Sequence, residues 1–282
     1  MRVRFHKHTV EGRTPALDAM YRSHFAAIAP EVEVEISTLP PAAYDGSLPE
    51  GSVRAAAAEA FFATDFVRHA IAAERAGCDA FVIGTSQDPG LREARSVVGI
   101  PVVGYGEAAM HISAMTGRSF GFVGFIPELA TPIGDNVRAA GLSHRLAGFA
   151  YLPGGADAIR QAFAGDPAQV IEQFRAAARS LIAKGAEVII PGEGLPNEIL
   201  YHHGIYAVDG VPIADAGGLA LQFAIFLVQM RRLNVLGPTT TGYWHTTLSP
   251  MVVDHLSRTF LTPAPDTVSV VPGRTPAGPE NG

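Results

Sequence analysis

This chain encodes a duplicated α/β protein, with two parallel-sheet halves and a site in the cleft between them, on three counts. Short β-type runs alternate with Ala-rich helical stretches along almost all of its 282 residues, the pattern of βαβ units. Residues 76–86 (AGCDAFVIGTS) and 184–194 (KGAEVIIPGEG) repeat one design. Each holds a helix end, a glycine suited to a C-cap, an acidic residue, an apolar run and a small polar turn that opens with glycine. Superposed without a gap, the two segments set Gly77 on Gly185, Asp79 on Glu187 and Gly84 on Gly192, so that Thr85 falls opposite Glu193. Ligands of open parallel sheets sit beyond the carboxyl ends of strands. The loops after residues 8, 83, 104, 125 and 190 are therefore expected to converge on one cleft.

The elements follow from the pattern in order. Strands are expected near Val3–His8, Val32–Ile36, Ala80–Ile83 and Val102–Gly104. Helices are expected near Pro15–Ala27, Val53–Ala76, Pro89–Val97 and Glu107–Met115. The second half restarts at Arg118 with the strand SFGFVGF and a helix near Pro132–Ala140. A strand near Phe149–Leu152, a helix near Pro167–Lys184 and a strand near Glu187–Ile190 come next. A short helix near Asn197–Tyr201, a strand near Tyr206–Val208 and a helix near Ala214–Arg231 complete that half. The last helix, Met251–Phe260, is expected to return to the first half. The predicted halves are thus 1–116 with 232–261, and 117–231. The tail 262–282, rich in Pro, Gly and Thr, reads as mobile or wrapped on a neighbour.

Composition bounds the function. A net charge of −6 and a pI near 5.9 argue against nucleic-acid or membrane-surface partners, which need clustered Lys and Arg. No apolar run approaches the ~18 residues of a membrane span, and the start lacks the apolar core of a signal peptide. A single cysteine, Cys78, excludes an intramolecular disulfide, so a cytoplasmic protein is the expectation, with Cys78 as a buried structural thiol. Charged residues make up only 17% of the chain, consistent with a homo-oligomer.

The run GCDAFVIGTSQDPGLREARSVVGIPVVGYGEAA (77–109) resembles the Asp/Glu/hydantoin racemase superfamily, the hydantoin racemase branch above all. GAEVIIPGEG followed by YAVDGV looks like its second-half motif. The resemblance covers roughly residues 70–220. It implies two Rossmann-like halves and a cofactor-independent enzyme in which two residues, often both cysteines, flank a carbon acid. Thr85 stands at the first of those positions and Glu193 at the second, so two-thiol chemistry is excluded. The triplet Gly84-Thr85-Ser86 also resembles the turn of arylmalonate decarboxylase, which holds a substrate carboxylate with hydroxyls and backbone amides.

Candidate site residues follow. Gly84, Thr85 and Ser86 offer hydroxyl and N–H donors for a carboxylate or an enolate oxygen, or they cap the next helix beside Asp88. Glu193, between Gly192 and Gly194, is the expected general acid or base if burial raises its pKa, against the plainer reading of a helix cap. A second acid or base is sought among His6 and His8, which point the same way on one strand, His202 and His245. His6, His8 and Glu193 make an alternative metal set, but two histidines at strand spacing are more simply polar strand ends, and no metal or other cofactor is assigned. Arg92 and Arg95 read as surface residues. The expected function is a racemase or isomerase acting by proton transfer on a small carboxylate or hydantoin-like carbon acid. Decarboxylation, ring-opening hydrolysis (with or without a metal) and a catalytically inactive binding protein stand as alternatives.

Overall fold

Asp79 and Glu187, equivalent in the two repeats, do the same work in space. The Asp79 carboxylate accepts the Arg2 N–H at 2.8 Å, and the Glu187 carboxylate accepts the Arg118 N–H at 2.6 Å. Each acid thereby aligns the start of its own strand with the strand beside it. Gly77 and Gly185 precede them with φ of +80° and +93°, the left-handed conformation that ends a helix at low cost only for glycine.

The computed structural model describes residues 1–261. Its first half contains β1 (Arg2–Lys7), α1 (Pro15–Ile28), β2 (Glu33–Thr38), α2 (Ala56–Arg75), β3 (Ala80–Gly84), α3 (Leu91–Val97), β4 (Val102–Gly104) and α4 (Tyr105–Thr116). The parallel sheet has the order β2-β1-β3-β4. The second half contains β5 (Phe120–Gly124), α5 (Ala130–Ala139), β6 (Leu146–Tyr151), α6 (Gly155–Phe163), α7 (Ala168–Ile182), β7 (Val188–Pro191) and α8 (Gly194–His202). Its parallel sheet has the order β6-β5-β7. A hairpin of β8 (Ala207–Val208) and β9 (Val211–Pro212) follows, then α9 (Ala216–Arg232). The inner strands β3 and β5 and the edge strand β7 are buried on both faces, as strands covered by helices on two sides must be.

Met1–Leu248 forms one compact unit, and a second unit begins at Ser249. The helix α10 (Pro250–Phe260) belongs to the second unit and is capped by the Ser249 hydroxyl, which accepts the Val252 N–H. The expected tail, 262–282, lies outside the described residues. No helix among the described residues is long and apolar enough to cross a membrane.

Three elements differ from the sequence pattern. Gly155–Phe163 is helical although its opening Gly-Gly reads as a loop; Ala158, Ile159 and Ala162 supply a buried stripe. The strand expected at 206–208 joins no main sheet: it pairs antiparallel with β9 across a tight turn at Asp209 and Gly210. The helix α9, which follows the second half in sequence, packs on β3, β4 and β1 of the first sheet and on α4. Segment 232–248 also stays on the first half, where Arg232 pairs with Asp79 at 2.7 Å and the Leu248 N–H reaches the Ser96 carbonyl.

Because Gly77 and Gly185 hold the same strained turn in equivalent places, Gly77→Ala and Gly185→Ala should each lower the unfolding free energy by about 1–2 kcal/mol. Urea denaturation measures both, and a large loss at only one would break the equivalence of the repeats.

Candidate active site

The register brings the strand ends level. Lys7 lies opposite Gly84 in the first sheet, and Val123 lies opposite Pro191 in the second, so His8, Thr85, Phe125 and Glu193 all stand just past carboxyl ends. His8, Thr9, Tyr21, Gly84, Thr85, Gln87, Phe125, Ile126, Glu193 and Gly194 line one small chamber of about 30 Å³, the space of a single water. It adjoins an outer cavity of about 410 Å³ through shared walls at His8, Val53, Gln87 and Leu129. That outer volume is of the size that small-molecule ligands occupy.

Glu193 takes extended backbone geometry at the start of α8, and its carbonyl accepts the Asn197 N–H at 3.4 Å. Its side chain does not cap that helix. The carboxylate reaches across to the end of β5, accepting the Phe125 N–H at 3.1 and 3.2 Å on its two oxygens and the Ile126 N–H at 3.1 Å. Two glycines make room for it. A Cβ on Gly124 would stand 2.9 Å from Glu193 Oε1, and a Cβ on Gly194 would overlap the Tyr21 hydroxyl. The residue is only 7% exposed, and burial pushes its pKa up to about 8, outweighing the two backbone donors that lower it.

His8 faces the chamber with Nε2 unpartnered, as is Thr9 Oγ1, so polar atoms wait there for a ligand. Burial, with His6 nearby, pushes the His8 pKa down to about 3, and its ring rests edge-on against Phe62. His8 is thus a neutral imidazole at ordinary pH, a donor or acceptor of hydrogen bonds rather than a carrier of positive charge. Burial raises the Tyr21 pKa well above the ordinary phenol value, so this hydroxyl stays protonated.

Among the other expected residues, Thr85 donates to the Gln87 side chain within the chamber wall. Ser86 does not present its hydroxyl to the chamber. It is fully buried and donates to the Gly192 carbonyl, tying the two halves together, so these two residues join the strand ends instead of lining the space. Three histidines stand elsewhere. His6 is buried under α2 against Ser37 and Asp65, because it lies inside the sheet rather than past its edge. His202 meets the Met20 carbonyl at 3.0 Å. His245 lines a separate cavity beside Arg95 and Leu236. The metal set of His6, His8 and Glu193 is accordingly not assembled. Asp88 caps α4, not the nearer α3, by accepting the Gly106 and Glu107 N–H groups at 2.9 and 2.7 Å; α4 starts directly after β4, so no loop follows residue 104. Arg95 pairs with Glu107 and the Val102 carbonyl, and Cys78 is buried near Glu35.

Sequence patterns did not single out Tyr21, Thr9, Gln87, Phe125 or Ile126. Tyr21 shares a helical stripe with Leu17 and Phe25 and reads as core. Beneath the chamber lies a buried network that they also did not show. His24 contacts Glu198 at 3.0 Å and Asp215 at 2.8 Å, and Asn197 bonds Asp215 at 2.9 Å. Burial pulls the His24 pKa down, but the hydrogen bonds to Asp215 and Glu198 outweigh it and hold the group up at about 9. This network locks α1 of the first half to α8 and α9.

A family model described as Asp/Glu/Hydantoin racemase matches residues 14–216. The chain belongs to this family. It is 30% identical over 166 residues to a hydantoin racemase of Pseudomonas sp. (strain NS671), covering 56% of this chain and 61% of that one. It is also 30% identical over 141 residues to a hydantoin racemase of Paenarthrobacter aurescens, covering 48% and 58%. The matches span about three fifths of the length of these curated relatives. An allantoin racemase from Klebsiella pneumoniae shares the fold, with a TM-score of 0.68 and 21% identity over 88% of this chain and 94% of that one. Both sheets of this racemase-family chain thus belong to a fold it shares with that structure, and Thr85 and Glu193 follow β3 and β7.

The buried groups set a pH dependence. His24 is raised from 6.5 to about 9, so the stability it contributes is complete below 6.5 and lost as pH rises through 9. Glu193 is raised from 4.5 to about 8, so its contribution is complete below 4.5 and lost as pH rises through 8. Unfolding free energy should therefore fall from about pH 4.5 to 9, through Glu193 alone below 6.5 and with His24 above it. Glu193→Gln should flatten the part below pH 8, and an unchanged slope in that variant would refute the assignment.

Proposed function

We propose that the protein is an isomerase-type enzyme that moves the proton of a small carbon acid, a carbon next to a carbonyl as in a hydantoin ring, without a cofactor. One observation carries this reading. Of the residues lining the chamber, His8 and Tyr21 titrate far from neutrality, while Glu193, with a pKa of about 8, changes state near it. Catalytic acids and bases need pKa values near the working pH. The names of the curated relatives agree in kind, since both are hydantoin racemases.

The chemistry divides among named groups. The ionised Glu193 carboxylate removes the proton from the substrate carbon, and the bonding pair moves onto the adjacent carbonyl oxygen. Thr85, the N–H groups of its turn and the neutral His8 imidazole hold that enolate oxygen. Neutral donors in a closed site stabilise such charge without reorganising. The planar enolate then turns over in the site and Glu193 returns the proton to its other face, which inverts the carbon; return to the first face gives exchange alone. The substrate body occupies the outer cavity and its reactive carbon enters the chamber. Glu193 stays on the backbone donors of Phe125 and Ile126 throughout, which fixes its direction. The role of His8 is thus polarisation, not the second proton carrier expected from sequence.

A second reading rests on the same single carrier. Loss of CO₂ from a malonate-type acid also leaves an enolate, and it needs one proton from one side only. Incubation in D₂O with 5-substituted hydantoins, allantoin and arylmalonates separates the two. Deuterium entering hydantoins or allantoin with loss of optical rotation is the expected result, while CO₂ release from malonates alone would transfer the assignment to a decarboxylase. Glu193→Gln should lower the rate by about 10²–10⁴-fold with substrate binding retained. In the wild type, kcat/KM for exchange should rise with pH and level off above about 8, because the base form is the deprotonated one. Full exchange activity in Glu193→Gln would sink both readings.

A further inference from the structure

Outside the chamber, one cluster of ionisable side chains is built from two elements and takes no part in the chemistry above. His6 on β1 faces α2, where Asp65 and His69 stand four residues apart on one side of the helix. His6 Nε2 lies 3.1 Å from Asp65 Oδ2, and His69 Nε2 lies 3.8 Å from the same oxygen. One ligand atom from each residue falls within 4.8 Å of the other two. Around a four-coordinate zinc, with bonds of about 2.0–2.1 Å, tetrahedral angles set neighbouring ligand atoms about 3.3 Å apart. Two edges of the triangle are already near that length. The His69 side chain is 29% exposed, so it is the member of the three with most room to turn and close the third.

The surroundings suit a cation better than a plain polar contact. His6 Nδ1 lies 2.8 Å from Ser37 Oγ, which can accept its proton and so turn Nε2, now against Asp65, into a metal ligand. Imidazole ligands are commonly oriented by such a second contact. His69 stacks on His6 with ring centres 3.9 Å apart and reaches Asp65 only at ion-pair distance, so two imidazoles crowd one carboxylate. Imidazole nitrogens and a carboxylate are groups that bind such a metal, giving up any proton they carry as it enters. Of the two cations nearby, Arg4 is paired with Glu35 at 2.6 Å, and Arg68 is the other.

We propose that His6, Asp65 and His69 form a site for one zinc-class divalent cation, with water completing its shell and Ser37 holding His6. Two nitrogens and one carboxylate fit zinc, whereas magnesium and calcium favour shells made of oxygen. The cation would pin α2 to β1, next to Phe62 and Phe66, which pack on His8 and His6. It stands apart from the carbon-acid chemistry.

The full chain, dialysed against EDTA and titrated with zinc chloride, provides the test, with calorimetry and elemental analysis as readouts. One equivalent should bind with a Kd of about 10 µM or tighter, and cobalt(II) should give the visible band of a tetrahedral site. At zinc about a hundredfold above Kd, Tm should rise by roughly 5 °C or more. Neither His69→Ala, on the solvent side, nor Asp65→Asn should bind that equivalent, and His69→Ala without metal should keep its far-UV spectrum and cooperative unfolding. No stoichiometric zinc in the wild type, or equal binding in a folded His69→Ala, would overturn the site.

Discussion

A carboxylate enclosed with no cation beside it, and satisfied only by backbone, sets the terms for the rest of the molecule. Glu193 rests on the N–H groups of Phe125 and Ile126, and those groups follow directly on β5, a strand of the same sheet that is distant in sequence. To bring them together, β5 and β7 must pair in one register, Gly124 must lack a side chain, and α8 must start at once after Glu193. Desolvation without a counter-ion then keeps the group near the boundary between charged and neutral, the condition for moving protons. A cation at hydrogen-bond distance would have removed that property.

The two halves are held in place by contacts that avoid the chamber. Ser86 bonds the Gly192 carbonyl, Asn136 donates to the Gln87 carbonyl at 2.7 Å, and His24 bridges Glu198 and Asp215. Buried polar networks of this kind are costly unless every member is satisfied, and satisfied they define one arrangement. Here they fix the spacing of two strand ends that come from different sheets. On the chamber wall His8 and Thr9 keep unpartnered polar atoms, which a ligand would complete.

Most of the architecture was legible before any coordinate. The alternation of apolar runs and Ala-rich stretches located the strands of both sheets, and the repeated segments placed Thr85 and Glu193 at equivalent ends. Four of the five loops expected at the cleft, after residues 8, 83, 125 and 190, supply its lining. Missing from the pattern were α6, whose stripe is short and follows two glycines, and the seat of α9 on the first sheet. An apolar helix reveals that it is covered but not by what.

The chain alone therefore determined which segments are strands, which ends carry glycine, and which chemical groups stand at those ends, because periodicity and turn chemistry are local. Tertiary structure decided what each group meets. His6 and His8 share a face of β1, yet His6 lies within the sheet, beneath α2, and His8 stands one residue past its edge, at the chamber. Ser86 and Thr85 are neighbours, yet one ties the halves together and the other faces the ligand space. Such outcomes turn on strand length, register and long-range packing, which no window of sequence contains.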